Sequence, residues 1–160
     1  MIYVIQAESG KEANICSKLA RDNISAYAPA RSLIIRKSAG WTKIINLLFP
    51  GYVFIDCDYS TELHQQVKRT DGVIRFLGQP TPIGADEEEF MRLMINDGQV
   101  IPESTAEVDS DGKVTFIDGW LKGKEEYVTY YNIRQKKASV EIYFGGRKHK
   151  ANLGVEYVKI

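Results

Sequence analysis

The sequence predicts an α+β fold: an N-terminal antiparallel sheet with helices packed on it, then a small C-terminal β-barrel. Three observations predict it. Up to Gly98 the strand-like and helix-like segments follow the order β-α-β-β-β-α-β-α, which suits one sheet with helices on it. From Lys113 onward no helical period occurs, only short β-prone runs broken by Asp118-Gly119 and Gly145-Gly146, as a small barrel requires. Between them, Pro102, Glu103, Ser104 and Glu107 have the composition of a connector. Domains are therefore expected at residues 1–98 and 109–160, with a linker at 99–108.

The elements follow from local pattern. Ile2 to Ala7 is an apolar, β-prone run expected as a buried strand. Ser9 and Glu12 have capping-box spacing, and Ala13, Cys16 and Ala20, with Ile15 and Leu19 beside them, give a helical face ending near Asp22-Asn23. Ala26–Ala30 and Ser32–Arg36 read as short strands, the first on an edge because it holds Pro29. Lys37 to Leu48 reads as a loop or small hairpin, and Phe49-Pro50-Gly51 turns the chain into the strand Tyr52–Asp56. Helices are expected from Ser60 to Lys68 and from about Ala85, where Asp86 to Glu89 complement the helix dipole and Phe90, Leu93 and Met94 form the buried stripe. Val73–Leu77 is the strand between them. In the second half, strands are expected at 114–117, 126–131, 138–144, 148–153 and 156–160.

Composition narrows the function classes. The chain has 160 residues, 44% of them hydrophobic, with 21 basic and 21 acidic side chains, so neither intrinsic disorder nor a strongly charged whole is indicated. The best apolar run, Ile44 to Phe49 with Asn46 inside it, is far short of the roughly 20 residues of a membrane span. No secretion signal is read at the N-terminus, and Cys16 and Cys57 give neither a disulfide framework nor a metal motif, so a cytoplasmic home is expected. The neutral total hides an asymmetry: residues 109–160 carry 10 basic against 7 acidic side chains, and between Arg134 and Lys150 the only acid is Glu141. That surplus suits either a polyanion-binding face or a solvated surface.

Catalytic chemistry finds little footing. His64 and His149 stand alone, no phosphate-loop, dinucleotide or nucleophile-elbow motif is present, and four consecutive acids on a helix point in different directions. Gly145-Gly146 before Arg147-Lys148 fits an anion-binding turn or a plain hairpin. Neither a catalytic residue, a metal nor a cofactor is expected.

Two segments are more specific. Ile2 to Ala7 with Gly10 and Glu12, then Phe49-Pro50-Gly51-Tyr52-Val53-Phe54-Ile55, resemble the N-terminal (NGN) domain of the NusG/Spt5 transcription-elongation factors, and Gly72 to Gly78 followed by Pro82-Ile83 fits the same pattern. Val114 to Gly119 and the later Phe144-Gly145 resemble that family's C-terminal KOW barrel, which is SH3-like. The resemblance implies that the first domain sits on the clamp helices of the largest RNA polymerase subunit through an apolar patch of Ile2, Phe49, Pro50 and Tyr52. Family members usually carry an aromatic where Ile2 stands. The alternative is that Phe49 and Tyr52 are sheet-core residues, and alternation along Phe49, Tyr52 and Phe54 is expected to send them to different sides.

The barrel departs from the housekeeping pattern. Trp120 stands where Pro usually follows Asp-Gly, and Glu126 where a glycine is common. With Lys122, Lys124, Arg134, Lys136, Lys137, Arg147, Lys148, His149 and Lys150, this favours RNA, because cations grip phosphate while exposed rings stack bases. The chain is most similar in this respect to the LoaP antiterminators, a specialised NusG subgroup whose KOW domain reads a leader RNA hairpin. The expected function is then transcription antitermination by a monomer that holds polymerase and nascent RNA. Three other readings stand beside it: a housekeeping factor recruiting Rho or a ribosomal protein, a paralog reading DNA through its N-terminal domain, and a ribosome-associated KOW protein.

Overall fold

The computed structural model describes all residues, Met1 to Ile160. It has three α-helices and eleven strands, and no helix is long and apolar enough to cross a membrane. The chain divides into two compact units that interleave along the sequence. The first comprises Met1–Pro29, Phe49–Gly98 and Ile142–Lys148; the second comprises Ala30–Leu48, Gln99–Glu141 and His149–Ile160.

In the first unit, strands β1 (Ile2–Ala7), β2 (Ser25–Tyr27), β5 (Tyr52–Asp56) and β6 (Val73–Phe76) form an antiparallel sheet in the order β2-β5-β1-β6. Alternation sends Tyr3, Ile5 and Ala7 to one face. There they meet Ile15 and Leu19 of helix α1 (Glu12–Arg21) and Val67 of helix α2 (Thr61–Lys68) in a continuous core with Val53, Ile55 and Phe76. Helix α3 (Ala85–Ile95) buries Phe90, Met91, Met94 and Ile95. Its Arg92 grips both carboxylate oxygens of Asp56 at the end of β5, at 2.6 and 3.2 Å, and Arg92 also meets Glu88 one turn back. The acids of the first turn thus supply an ion pair as well as dipole complementation. Phe90 and Met94 lie inside as expected, whereas Leu93 is only half-buried and Met91 and Ile95 complete the stripe.

The start of α1 is built differently from a capping box. Ser9 is exposed and the N-cap position is Lys11, which makes no side-chain cap. Glu12 is buried instead, and its two oxygens accept from the amides of Gly10 and Gly51, each at 2.8 Å. Ala13 and Ala20, expected on the buried face, are exposed; Glu12, Ile15 and Leu19 form that face. Helix α2 does start as expected, with Ser60 Oγ accepting from the Leu63 amide. Pro29 lies outside β2, which is an edge strand all the same.

In the second unit, β3 (Ala30–Lys37) and β4 (Gly40–Leu47) form a hairpin of eight residues per strand, so of the loop or small hairpin expected at Lys37 to Leu48 the hairpin is what forms. Strands β7 (Ser104–Val108), β8 (Val114–Asp118), β9 (Val128–Asn132), β10 (Lys137–Phe144) and β11 (Arg147–Lys159) form a five-stranded curled sheet in the order β8-β7-β11-β10-β9, of which the stretch Ile142–Lys148 belongs to the first unit. Its inner face carries Ala106, Val108, Phe116, Ala138, Val140, Leu153 and Val155. Two expectations are corrected here. Residues 104–108, expected within the linker, are strand β7: Ser104, Ala106 and Val108 alternate inward and the Ser104 hydroxyl accepts from the Leu121 amide at 2.8 Å. The two expected strands 148–153 and 156–160 are one strand, β11, because Gly154 continues it. A Cβ there would stand 2.6 Å from the Ser32 carbonyl oxygen, so this glycine serves close approach and not a turn.

Candidate functional site

Phe49, Tyr52 and Phe54 do not go to different sides. Tyr52 and Phe54 are two residues apart on β5 and share a face, and the Pro50-Gly51 turn brings Phe49 round to it. All three rings surround Phe144, at centroid distances of 5.4, 5.1 and 5.3 Å for Phe49, Tyr52 and Phe54, each edge-on. Edge-to-face pairs of this kind add about 0.5–1.5 kcal/mol beyond the area they bury. The Arg147 guanidinium donates to the Tyr52 hydroxyl at 3.1 Å, and the Tyr143 amide to Glu87 at 3.3 Å. Every one of these residues belongs to the first unit.

Of the four side chains expected in a surface patch, Ile2 is fully buried at the start of β1 and is a core residue. Phe49 is 5% exposed beneath Phe144, Tyr52 is half-buried and Pro50 is exposed. Glu12 sets this turn. Burial of its carboxylate pushes the pKa up, but the amides of Gly51, Glu12 itself and Gly10 outweigh that and hold it below the usual carboxylate value.

The basic residues sort by strand alternation. Gly145 and Gly146, both at positive φ, make a two-residue turn between β10 and β11, which places Tyr143 opposite Lys148 and Glu141 opposite Lys150. The Lys148 ammonium lies 5.7 Å from the centre of the Tyr143 ring. Two residues on, Lys150 lies 5.8 Å from the centre of Tyr130, which β9 presents beside β10. Tyr143 and Tyr130 are 54% and 56% exposed. Lys137 shares this face by alternation along β10. Arg147 and His149 alternate to the other side of β11, so they do not join Lys148 and Lys150.

The remaining expected residues are dispersed. Lys136 bonds Glu156 and lies over Trp41 at 4.8 Å. Lys124 turns back onto Trp120, 4.6 Å from its ring and bonded to its carbonyl oxygen. Lys122 and Arg134 are exposed. Sequence reasoning missed Tyr130 and Tyr143, although the period-2 alternation of β10 with Tyr143 on the polar side signals the latter. His64, expected as a plain surface residue, is half-buried: it stacks on Phe76 at 4.7 Å and its Nδ1 bonds the Tyr59 hydroxyl at 2.7 Å. Burial pushes the Cys16 thiol up to about 11, which leaves it unreactive.

The chain thus pairs an α+β domain carrying an F-P-G-Y turn with a small five-stranded sheet. The family model for NusG, the transcription termination factor, matches residues 2–94, and the chain belongs to that family. It is 25% identical to the transcription termination/antitermination protein NusG of Neisseria meningitidis, over 98% of this chain and 96% of that one. It is 28% identical to NusG of Streptococcus pyogenes over 77% of this chain and 76% of that one. Among solved structures, NusG of Thermotoga maritima has the same fold, with a TM-score of 0.51 and 21% identity over 96% of this chain and 92% of that one.

Proposed function

We propose that this NusG-family transcription factor is an antiterminator that docks on RNA polymerase and holds nascent RNA, a hairpin of the leader, through basic residues of its strands. The observation that carries the RNA half is a cation-and-ring pair that occurs in each unit, Lys148 with Tyr143 in the first and Lys150 with Tyr130 in the second. Ammonium groups held beside exposed rings suit a strand whose phosphates and bases alternate at the same spacing. Pro50, Tyr52 and the covered Phe49 supply the polymerase half: an apolar, aromatic surface of this type suits the side of a helical coiled coil. That contact becomes available when Phe144 leaves the cluster. The role involves no covalent chemistry of the chain's own, and it belongs to the cytoplasm, where bacterial transcription takes place.

The combination gains from tethering. Two modest contacts on one chain hold an elongating complex longer than either alone, because the second forms at a high effective concentration. The test is transcription by purified polymerase through a panel of leader stem-loops followed by a terminator. The protein raises read-through on a subset of leaders, and Lys148→Ala with Lys150→Ala abolishes the gain while polymerase co-purification persists. Read-through that ignores the leader sequence and survives the double substitution would refute the RNA half.

A further inference from the structure

A second cation-and-ring cluster lies in the second unit, away from every residue assigned above except Lys136. It is formed by the end of the β3–β4 hairpin and the turn between β9 and β10. Arg36 and Trp41 are cross-strand partners, and the Arg36 guanidinium lies 5.7 Å from the Trp41 ring centre. Lys136, held at a positive φ of 58° in the turn after β9, brings its ammonium to 4.8 Å from the same ring. Trp41 is 40% exposed, a large apolar ring left at the surface with cations beside it. Lys37 pairs with Gly40 and so alternates to the other face of the hairpin, leaving Arg36 and Lys136 as the cations at the ring. The nearby acids are already engaged: Glu103 bonds Lys43 and Glu156 bonds Lys136. Arg36 and Lys136 thus flank one accessible indole.

We infer that Trp41, with Arg36 and Lys136 beside it, is a second RNA contact: the indole stacks an unpaired base and the cations hold the flanking phosphates. The inference rests on the RNA reading above and extends it, since it assigns the β3–β4 hairpin a direct part in RNA capture. The chemistry favours single-stranded RNA over a protein partner. A ring flanked by guanidinium and ammonium groups can take a nucleobase on its face while the cations meet phosphate, and the ring accepts any base. Fixed cations on both the hairpin and the adjoining turn also prepay the ordering that a flexible basic segment would need on binding.

The test uses the full chain and a uridine-loop RNA stem-loop at low salt, where sequence-independent contacts dominate. RNA quenches the tryptophan fluorescence of the parent, and Trp41→Phe removes part of that quench, because Trp120 is then the one indole left. Arg36→Ala lowers the slope of log affinity against log salt by about 0.7–0.9 for the one lost phosphate contact. Trp41→Ala weakens binding by about tenfold, within the range for removal of one stacking ring, and circular dichroism verifies that this variant is folded. An identical quench in parent and Trp41→Phe, with an unchanged slope in Arg36→Ala, overturns this second contact and leaves the first standing. No retention of the stem-loop at low salt overturns both.

Discussion

Glu12 shows how one side chain fixes the geometry on which a whole surface depends. Its carboxylate ties the amide of Gly10, just before α1, to that of Gly51, just before β5. Glu12→Ala leaves both amides without their acceptor in a buried site, at a cost of about 1–3 kcal/mol in urea unfolding at neutral pH. The folded pKa lies below the ordinary value of 4.5, so the stabilisation is present above that value and is lost as pH falls through the folded one. Asp56, lowered by the Arg92 guanidinium, loses its contribution in the same direction, below the ordinary 3.8. Glu12→Gln therefore flattens the acid limb of stability against pH, and an acid limb equal to the parent's would show that the carboxylate is not what secures the turn. The sequence does place Glu12 at a helix start, but capping-box spacing names Ser9 as its partner. The true partner is 39 residues away in sequence, which no local pattern reports.

At the scale of elements, the hairpin β10–β11 carries the proposed RNA face, and its register sets which cations act together. Lys148→Ala with Lys150→Ala removes two adjacent ammonium groups, so the slope of log affinity against log salt falls by about 1.4–1.8 for two phosphate contacts. Arg147→Ala, a change on the opposite side of β11, leaves that slope unaltered; a drop as large as the lysine pair's would mean that the strand face is not the binding unit. Much of this element was legible. The Gly145-Gly146 turn and the strands beside it follow from turn chemistry and alternation. The length of β11 was not, because Gly154 reads as a break until the carbonyl of Ser32 is seen pressed against it. For the same reason β7 was hidden: a serine, two glutamates and a proline look like connector until Ser104, Ala106 and Val108 are seen to pair with β11 in parallel.

For the whole molecule, the two compact units do not follow chain order, and a stretch as short as Ile142–Lys148 joins the first through Phe144 and its neighbours. The family and the order of the two modules could be read from F-P-G-Y-V and the later short strands. Where Phe144 lies could not, since an inward-facing phenylalanine on an alternating strand belongs by pattern to the sheet's own core. Phe144→Ala uncovers Phe49, Tyr52 and Phe54, so polymerase affinity in a pull-down with purified enzyme rises. Tyr52→Ala, in the Phe144→Ala background, lowers it again. Equal capture of all three proteins would show that this aromatic cluster is not the docking surface.

The two-glycine turn has one more consequence. Phe144 precedes it and Lys148 follows it by two residues, so the ring that covers the aromatic cluster and a cation of the proposed RNA contact share a single turn. On the proposed function, the measured polymerase affinity is the intrinsic affinity reduced by the fraction of molecules in which that ring has withdrawn. Thermodynamic reciprocity then binds the two ligands to each other: by whatever factor a captured transcript favours the withdrawn state and tightens the grip on the enzyme, the enzyme tightens the grip on the transcript by the same factor.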